Sequence, residues 1–167
     1  MALNAYLQIK GQKQGQIKGS VTQKGREDTI RVMAVDHSIL SPRDPASGLA
    51  TGKRIHKPFK ITKEVDKASV PLYSALVTNE NLPEWELRFW RPKTTSRSGS
   101  GVEIQYFTIK LTNANVVSIH LVTPNTQDPN LHSFTDYEEV EFTYQKIEWT
   151  WKDGGVTAMD DWESPIV

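Results

Sequence analysis

A chain of 167 residues with 20 basic and 20 acidic side chains carries no net charge at neutral pH, so steering toward nucleic acid or an anionic membrane surface is not expected. It contains no cysteine, which excludes disulfides, thiolate metal centres and a cysteine nucleophile. The length suits a single domain over residues 1–167; with no leader-like run and no stretch of ~20 apolar residues, the expectation is a chain folded in the cytoplasm, without signal peptide or membrane insertion.

Leu3, Ala5, Leu7 and Ile9 alternate with Asn4, Tyr6, Gln8 and Lys10, the period of a strand with one buried face. After a turn through Gly11, Gly15 and Gly19, TIRVMAVDH sets Ile30, Val32 and Ala34 on one face and Met33 and Val35 on the other. Both faces are therefore expected to be covered. Pro42, Pro45, Gly48 and Gly52 then keep SILSPRDPASGLATGKR from holding a regular element, and a long loop over about residues 36–53 is expected, either functional or a plain excursion.

The next strand, from Lys57 to Glu64, turns Phe59 and Ile61 inward and Lys60, Thr62 and Glu64 outward. Lys57, Lys60 and Lys63 read as solvated edge residues. Past Asp66 the apolar positions become Leu72, Tyr73, Leu76 and Val77, and pairs four apart predict a helix over about residues 67–79. Ser69 or Asp66 suits its N-cap, Pro71 fits its first turn, and Asn79 its far end.

Trp85, Leu87 and Phe89 alternate with Glu86, Arg88 and Trp90, and the loop PKTTSRSGSG leads to a strand with Tyr106, Phe107, Ile109 and Leu111. A separate strand is expected from Val116 to Val122, followed by a break at Pro124 and Pro129. In EEVEFTYQKIEWTW, Val140, Phe142 and Tyr144 share one parity and Ile147, Trp149 and Trp151 the other. A β-bulge, or a strand whose second half leaves its own core, would produce that switch between Gln145 and Lys146. Residues 153–167 read as a short C-terminal tail.

No constellation for catalysis emerges. GLATGKR has three residues between its glycines rather than four, and Arg54 stands where a phosphate-binding loop needs Ser or Thr. His37, His56, His120 and His132 lie far apart, without the local pairing of a zinc site, and read as isolated structural residues. SRSGSG reads as a solvated linker. The pairs Glu138–Glu139 and Asp160–Asp161 are chain neighbours, which point to opposite faces of a strand and cannot act on one bond. Among five tryptophans, Trp90 and Trp151 depart from the main apolar face of their strands, so each suits either a core or an interface.

The ordered segments KGSVTQKGRE (18–27), AVDHSI (34–39), TGKRIHKPFKITKEVDKASVPLYSAL (51–76), YFTIKLTNANVVSI (106–119) and YEEVEFTYQKIEWTWKDG (137–154) resemble the Hcp family, the hemolysin-coregulated tube proteins of bacterial type VI secretion. The resemblance implies a mainly β fold, a compact two-sheet β-barrel with one packed helix. It also implies a homo-hexameric ring that stacks into a tube, with a VgrG-type spike, a contractile sheath and baseplate proteins as partners. Small effector proteins would ride in the lumen, and the tube would be secreted by the type VI system itself. The family's loop after the second strand reaches a neighbouring subunit, which makes Ser41, Pro42, Arg43, Asp44 and Leu49 candidate interface residues. Trp90 and Trp151 join them as off-parity aromatics. No enzyme activity, metal or cofactor is expected. The alternatives are a stand-alone β-barrel holding a small ligand and a phage-like tail tube protein, and bulky inward Phe107, Phe142 and Trp149 argue for a filled interior.

Overall fold

Six antiparallel strands close on themselves in the computed structural model, which describes residues 2–93 and 101–163. Strand β1 (Ala5–Gly11) pairs on one side with β3 (Ile30–Asp36) and on the other with β7 (Leu82–Pro92). From β3 the order continues through β6 (Phe59–Glu64) and β9 (Tyr137–Thr143) to β8 (Glu103–Val122), which returns to β7. Closure leaves these six without an open edge. A short β2 (Gly15–Ile17) hairpins onto β1.

The expected barrel with one helix is present, and its strands are joined differently from the sequence reading. Residues 103–122 form one strand rather than two. Pairing with β7 runs from Glu103 to Ala114, and Asn113 near its end has φ at 52°, a left-handed conformation that asparagine tolerates better than most residues. The two halves of β8 serve different neighbours. Residues 115–122 pair with β9 and close the barrel; residues 107–112 pair with β10 (Lys146–Trp151).

That division explains the parity switch. Strands β9 and β10 both run along β8, separated by a corner at Tyr144 and Gln145, where the Gln145 N–H donates to the Thr112 carbonyl. On one side of the corner the strand faces the barrel interior; on the other it enters a wing. Residues read as a tail supply the wing's outer strand, β11 (Val156–Asp161), paired along the whole of β10. SRSGSG falls almost entirely, and the last four residues fully, outside the described residues.

The interior is filled. Trp85 meets Phe59 and Phe142 edge-on, with ring centroids 5.0 and 5.5 Å apart, and Leu7, Ile9, Ile30, Ile61, Leu82, Leu87 and Leu111 are fully buried around them. Each such side chain contributes about 1.5–3 kcal/mol by leaving water. Phe107 and Trp149 lie at the margin of this core, partly buried.

Helix α1 (Ser69–Thr78) packs against β8. The Asp66 carboxylate accepts from the Ala68 N–H, and the Ser69 hydroxyl from the Asp66 N–H. Asn79 closes the far end with φ at 51°, its N–H reaching the Ala75 and Leu76 carbonyls. The buried stripe is Ser69, Leu72 and Ala75, with Leu76 partly covered. Tyr73 and Val77 face solvent instead of the barrel, Val77 at 79% exposure. Tyr73 lies about 100° around the axis from Leu72, and Val77 about 100° from Leu76, and that rotation carries each off the packed face.

Two further expectations fail for local reasons. Ile30 and Val32 are buried, but the pairing register of β3 with β6 shifts between Val32 and Ala34, and Met33, Ala34 and Val35 are exposed. Lys63 is no solvated edge residue. It shares the inward parity of Phe59 and Ile61 and is fully buried.

Candidate functional site

The long loop is a narrow ribbon. Strand β4 (Ile39–Leu40) pairs with β5 (Ile55–His56) as a separate two-stranded sheet, and an isolated bridge joins Arg43 to Ala50 nearer the tip. Prolines and glycines limit pairing to these short lengths. At the tip the Asp44 carboxylate accepts from the Ala46 and Ser47 N–H groups and from the Ser47 hydroxyl. The Ser47 hydroxyl, with help from those two N–H groups, holds the Asp44 carboxyl below its ordinary range, against a smaller opposing effect of burial. Leu49, 68% exposed, shares the ribbon with exposed Leu40 and Ile55.

The ribbon's two roots converge on one hydroxyl. His37 Nε2 and His56 Nδ1 each lie 2.8 Å from the Tyr144 oxygen. His56 Nε2 is 2.7 Å from the Asp160 carboxylate, which also pairs with the Arg54 guanidinium. Arg54 donates further to the Asp161 carbonyl at 2.9 Å, and Trp162 packs against both His56 and Tyr144. Burial pushes the Tyr144 phenol well above its usual value, with the Asp160 charge adding to it. Hydrogen bonding from Arg54 holds Asp160 below the usual carboxylate range, although burial opposes this. Burial lowers His37, and the neighbouring His56 lowers it further.

This assembly couples the ribbon, the β9–β10 corner and the C-terminal strand. The sequence reading took its histidines as isolated. Their positions at the two ends of one loop carried the signal, because any hairpin over that loop brings His37 and His56 together. Asp160 and Tyr144 gave none, since the pairing of β11 on β10 delivers Asp160 and the corner after β9 delivers Tyr144. Among the described residues, no group of three or more His, Cys, Asp or Glu side chains is placed to hold a metal.

The candidate interface residues fall on two separate surfaces. Ser41, Pro42, Arg43, Asp44 and Leu49 lie along the ribbon. Trp151 is at the opposite end of β10 from the corner, about 17 Å away at strand rise, 38% exposed and packed against Tyr106 with Arg91 over both rings. Trp90 is half-buried within its own chain. The register shift between Phe89 and Trp90 turns it out of the strand's alternation, and the Arg26 guanidinium stacks on its ring at 3.9 Å. Arg26 is itself buried, bonded to Gln23 and Glu103 and stacked also on Tyr6.

Comparison with known proteins places this architecture. A family model described as "Type VI secretion system effector, Hcp" matches residues 6–151. The "Major exported protein" of Pseudomonas aeruginosa is 41% identical, over 99% of both chains. Among solved structures, a double mutant of the Hcp1 protein from the Escherichia coli EAEC 042 pathovar is 37% identical with a TM-score of 0.83, covering 96% of this chain and 99% of that one. The secreted protein Hcp3 of Pseudomonas aeruginosa is 34% identical with a TM-score of 0.74, over 96% and 99% of the two chains. With the family model covering most of the sequence and these relatives aligned nearly end to end, the chain belongs to the Hcp family of type VI secretion proteins.

Proposed function

We propose that this chain is a structural subunit of a type VI secretion inner tube, forming hexameric rings that stack and are expelled with the spike. The observation that carries this reading is the family match over residues 6–151. Export agrees with the name of the Pseudomonas aeruginosa relative. The filled interior supports a structural role over a ligand-holding barrel, because Trp85, Phe59 and Phe142 occupy the space a ligand would need.

Exposed apolar side chains supply surfaces for self-association. Met33 and Val35 on β3, Leu40, Leu49 and Ile55 on the ribbon, and Trp151 on the wing are all solvent-facing in the single chain. Head-to-tail contacts close into a ring when each subunit turns by the same fraction of a circle, and zero net charge adds no long-range repulsion. The ribbon residues Ser41–Asp44 and Leu49, with Trp90 and Trp151, are the proposed contact positions. The lumen would carry small effector proteins, and the spike, sheath and baseplate would be partners. Negative-stain images of the purified protein test this: ring-shaped particles of sixfold outline are expected, and isolated particles the size of one chain would contradict it.

A further inference from the structure

We propose that Tyr144, His37 and His56 form an acid-sensitive latch, which clasps both roots of the residue 39–56 ribbon, admits one proton intact, and opens at the second.

The argument is a count of hydrogens. The Asp160 carboxylate only accepts, so the His56 Nε2 facing it carries a proton. With His56 neutral, its Nδ1 accepts the Tyr144 O–H, and the Tyr144 oxygen is left to accept from His37 Nε2–H. Each link then holds one hydrogen. Adding a proton at His56 Nδ1 reverses the direction of the chain. His56 now donates to Tyr144, Tyr144 donates to His37 Nε2, and the His37 proton moves to Nδ1, on the side of the Lys57 backbone. The links survive, and the new charge sits beside Asp160.

A second proton has no such solution. Both imidazolium rings would donate to the one Tyr144 oxygen, leaving its O–H hydrogen buried without an acceptor. Two cations would also face each other across a single atom. The charged groups around the site do not compensate equally. Asp160 faces His56 but is shared with Arg54, and Asp161 offers Arg54 its backbone carbonyl. On the other side the Asp36 charge and the Lys57 backbone act on His37, whose ring packs on Phe59 at 4.7 Å. Trp162 covers His56 without charge. The His37 link is therefore the one that breaks, and it holds the root of the ribbon next to β3.

The sign follows from burial. His37 is held below its open-state value, so the closed latch is at full strength at neutral pH and weakens as pH falls below ~6.5. One extra proton taken up on opening raises the open population by up to about tenfold per pH unit in that window.

The test is hydrogen exchange of the full chain, corrected for intrinsic rate, between about pH 7.5 and pH 5. Exchange across residues 38–56 is expected to rise on acidification while β1 and β7 stay protected. His37→Gln keeps a polar partner that cannot titrate and should flatten the response, and Tyr144→Phe should leave the ribbon exchanging fast at every pH. Direct NMR titration of His37 in the unaltered protein serves as a measurement that needs no variant to fold. An acid step retained in His37→Gln, opening of β1 and β7 together with the ribbon, or His37 charging with no change in ribbon exchange would overturn the proposal.

Discussion

The Lys63 ammonium lies 2.9 Å from the Glu138 carboxylate, with both side chains sealed from solvent. Lys63 reaches three further oxygens, the Asp66 carboxylate at 3.0 Å, the Ser69 hydroxyl at 3.0 Å and the Glu64 carbonyl at 2.8 Å, while Ser69 donates back to Glu138 at 2.8 Å. One ammonium thus joins β6, β9 and the start of α1. A buried ion pair of this kind fixes geometry more than it adds net stability.

Removing one partner therefore costs more than removing both. Lys63→Met strands Glu138 and is expected to destabilise by about 3–5 kcal/mol, whereas Lys63→Met with Glu138→Leu recovers much of that loss. Urea unfolding of the two single variants and the double variant measures it. Additive losses would mean the two groups do not depend on each other.

Trp85 fills the centre of the barrel, and its ring N–H has no partner there. Trp85→Ala should cost about 3–5 kcal/mol through the cavity it leaves. Chemical denaturation reads this directly, and a loss below ~1 kcal/mol would indicate that neighbouring strands collapse into the space.

Gly19 makes the closest backbone approach in the fold's first loop. A Cβ there would stand 2.1 Å from the Thr29 carbonyl oxygen and 2.7 Å from the Ile30 Cα, and backbone cannot swing aside as a side chain can. Gly19→Ala is expected to cost at least about 1–3 kcal/mol. Thermal unfolding beside Gly52→Ala, where nothing lies in the way, provides the control.

Glu80 holds the β1–β2 turn. It accepts the Lys13 and Gln14 N–H groups at 2.8 and 3.0 Å and the Gln14 side-chain amide at 2.7 Å. Burial pushes its pKa up, but these hydrogen bonds together outweigh burial and hold it below the ordinary glutamate value. A carboxylate lowered on folding stabilises above its unfolded value of ~4.3 and loses that contribution as pH falls further. Stability should therefore drop below about pH 4 in the native chain and less steeply in Glu80→Gln. Urea midpoints across acid pH decide this, and identical slopes would contradict it.

Strand faces were legible where apolar alternation is uninterrupted, as at Ala5, Leu7 and Ile9 or Phe59 and Ile61. They were obscured where a charge carries the inward parity, because Lys63 looks solvated until Glu138 is placed opposite it. The helix's existence and its Asn79 stop could be read locally; its buried face could not, since Tyr73 and Val77 are apolar and yet turned away. Strand β11 carries little apolar alternation and is held by pairing along β10, which no local pattern encodes. In the His37–Tyr144–His56–Asp160 chain the two histidines could be brought together by a hairpin over their own loop, whereas Tyr144 and Asp160 join them only through long-range contacts.

Solution mass by light scattering, followed over dilution from tens of micromolar, tests the tube-subunit account most directly. A mass near six chains, reduced by Leu40→Asp with Leu49→Asp while thermal stability is unchanged, is the predicted result. A protein that remains one chain across that range would contradict it.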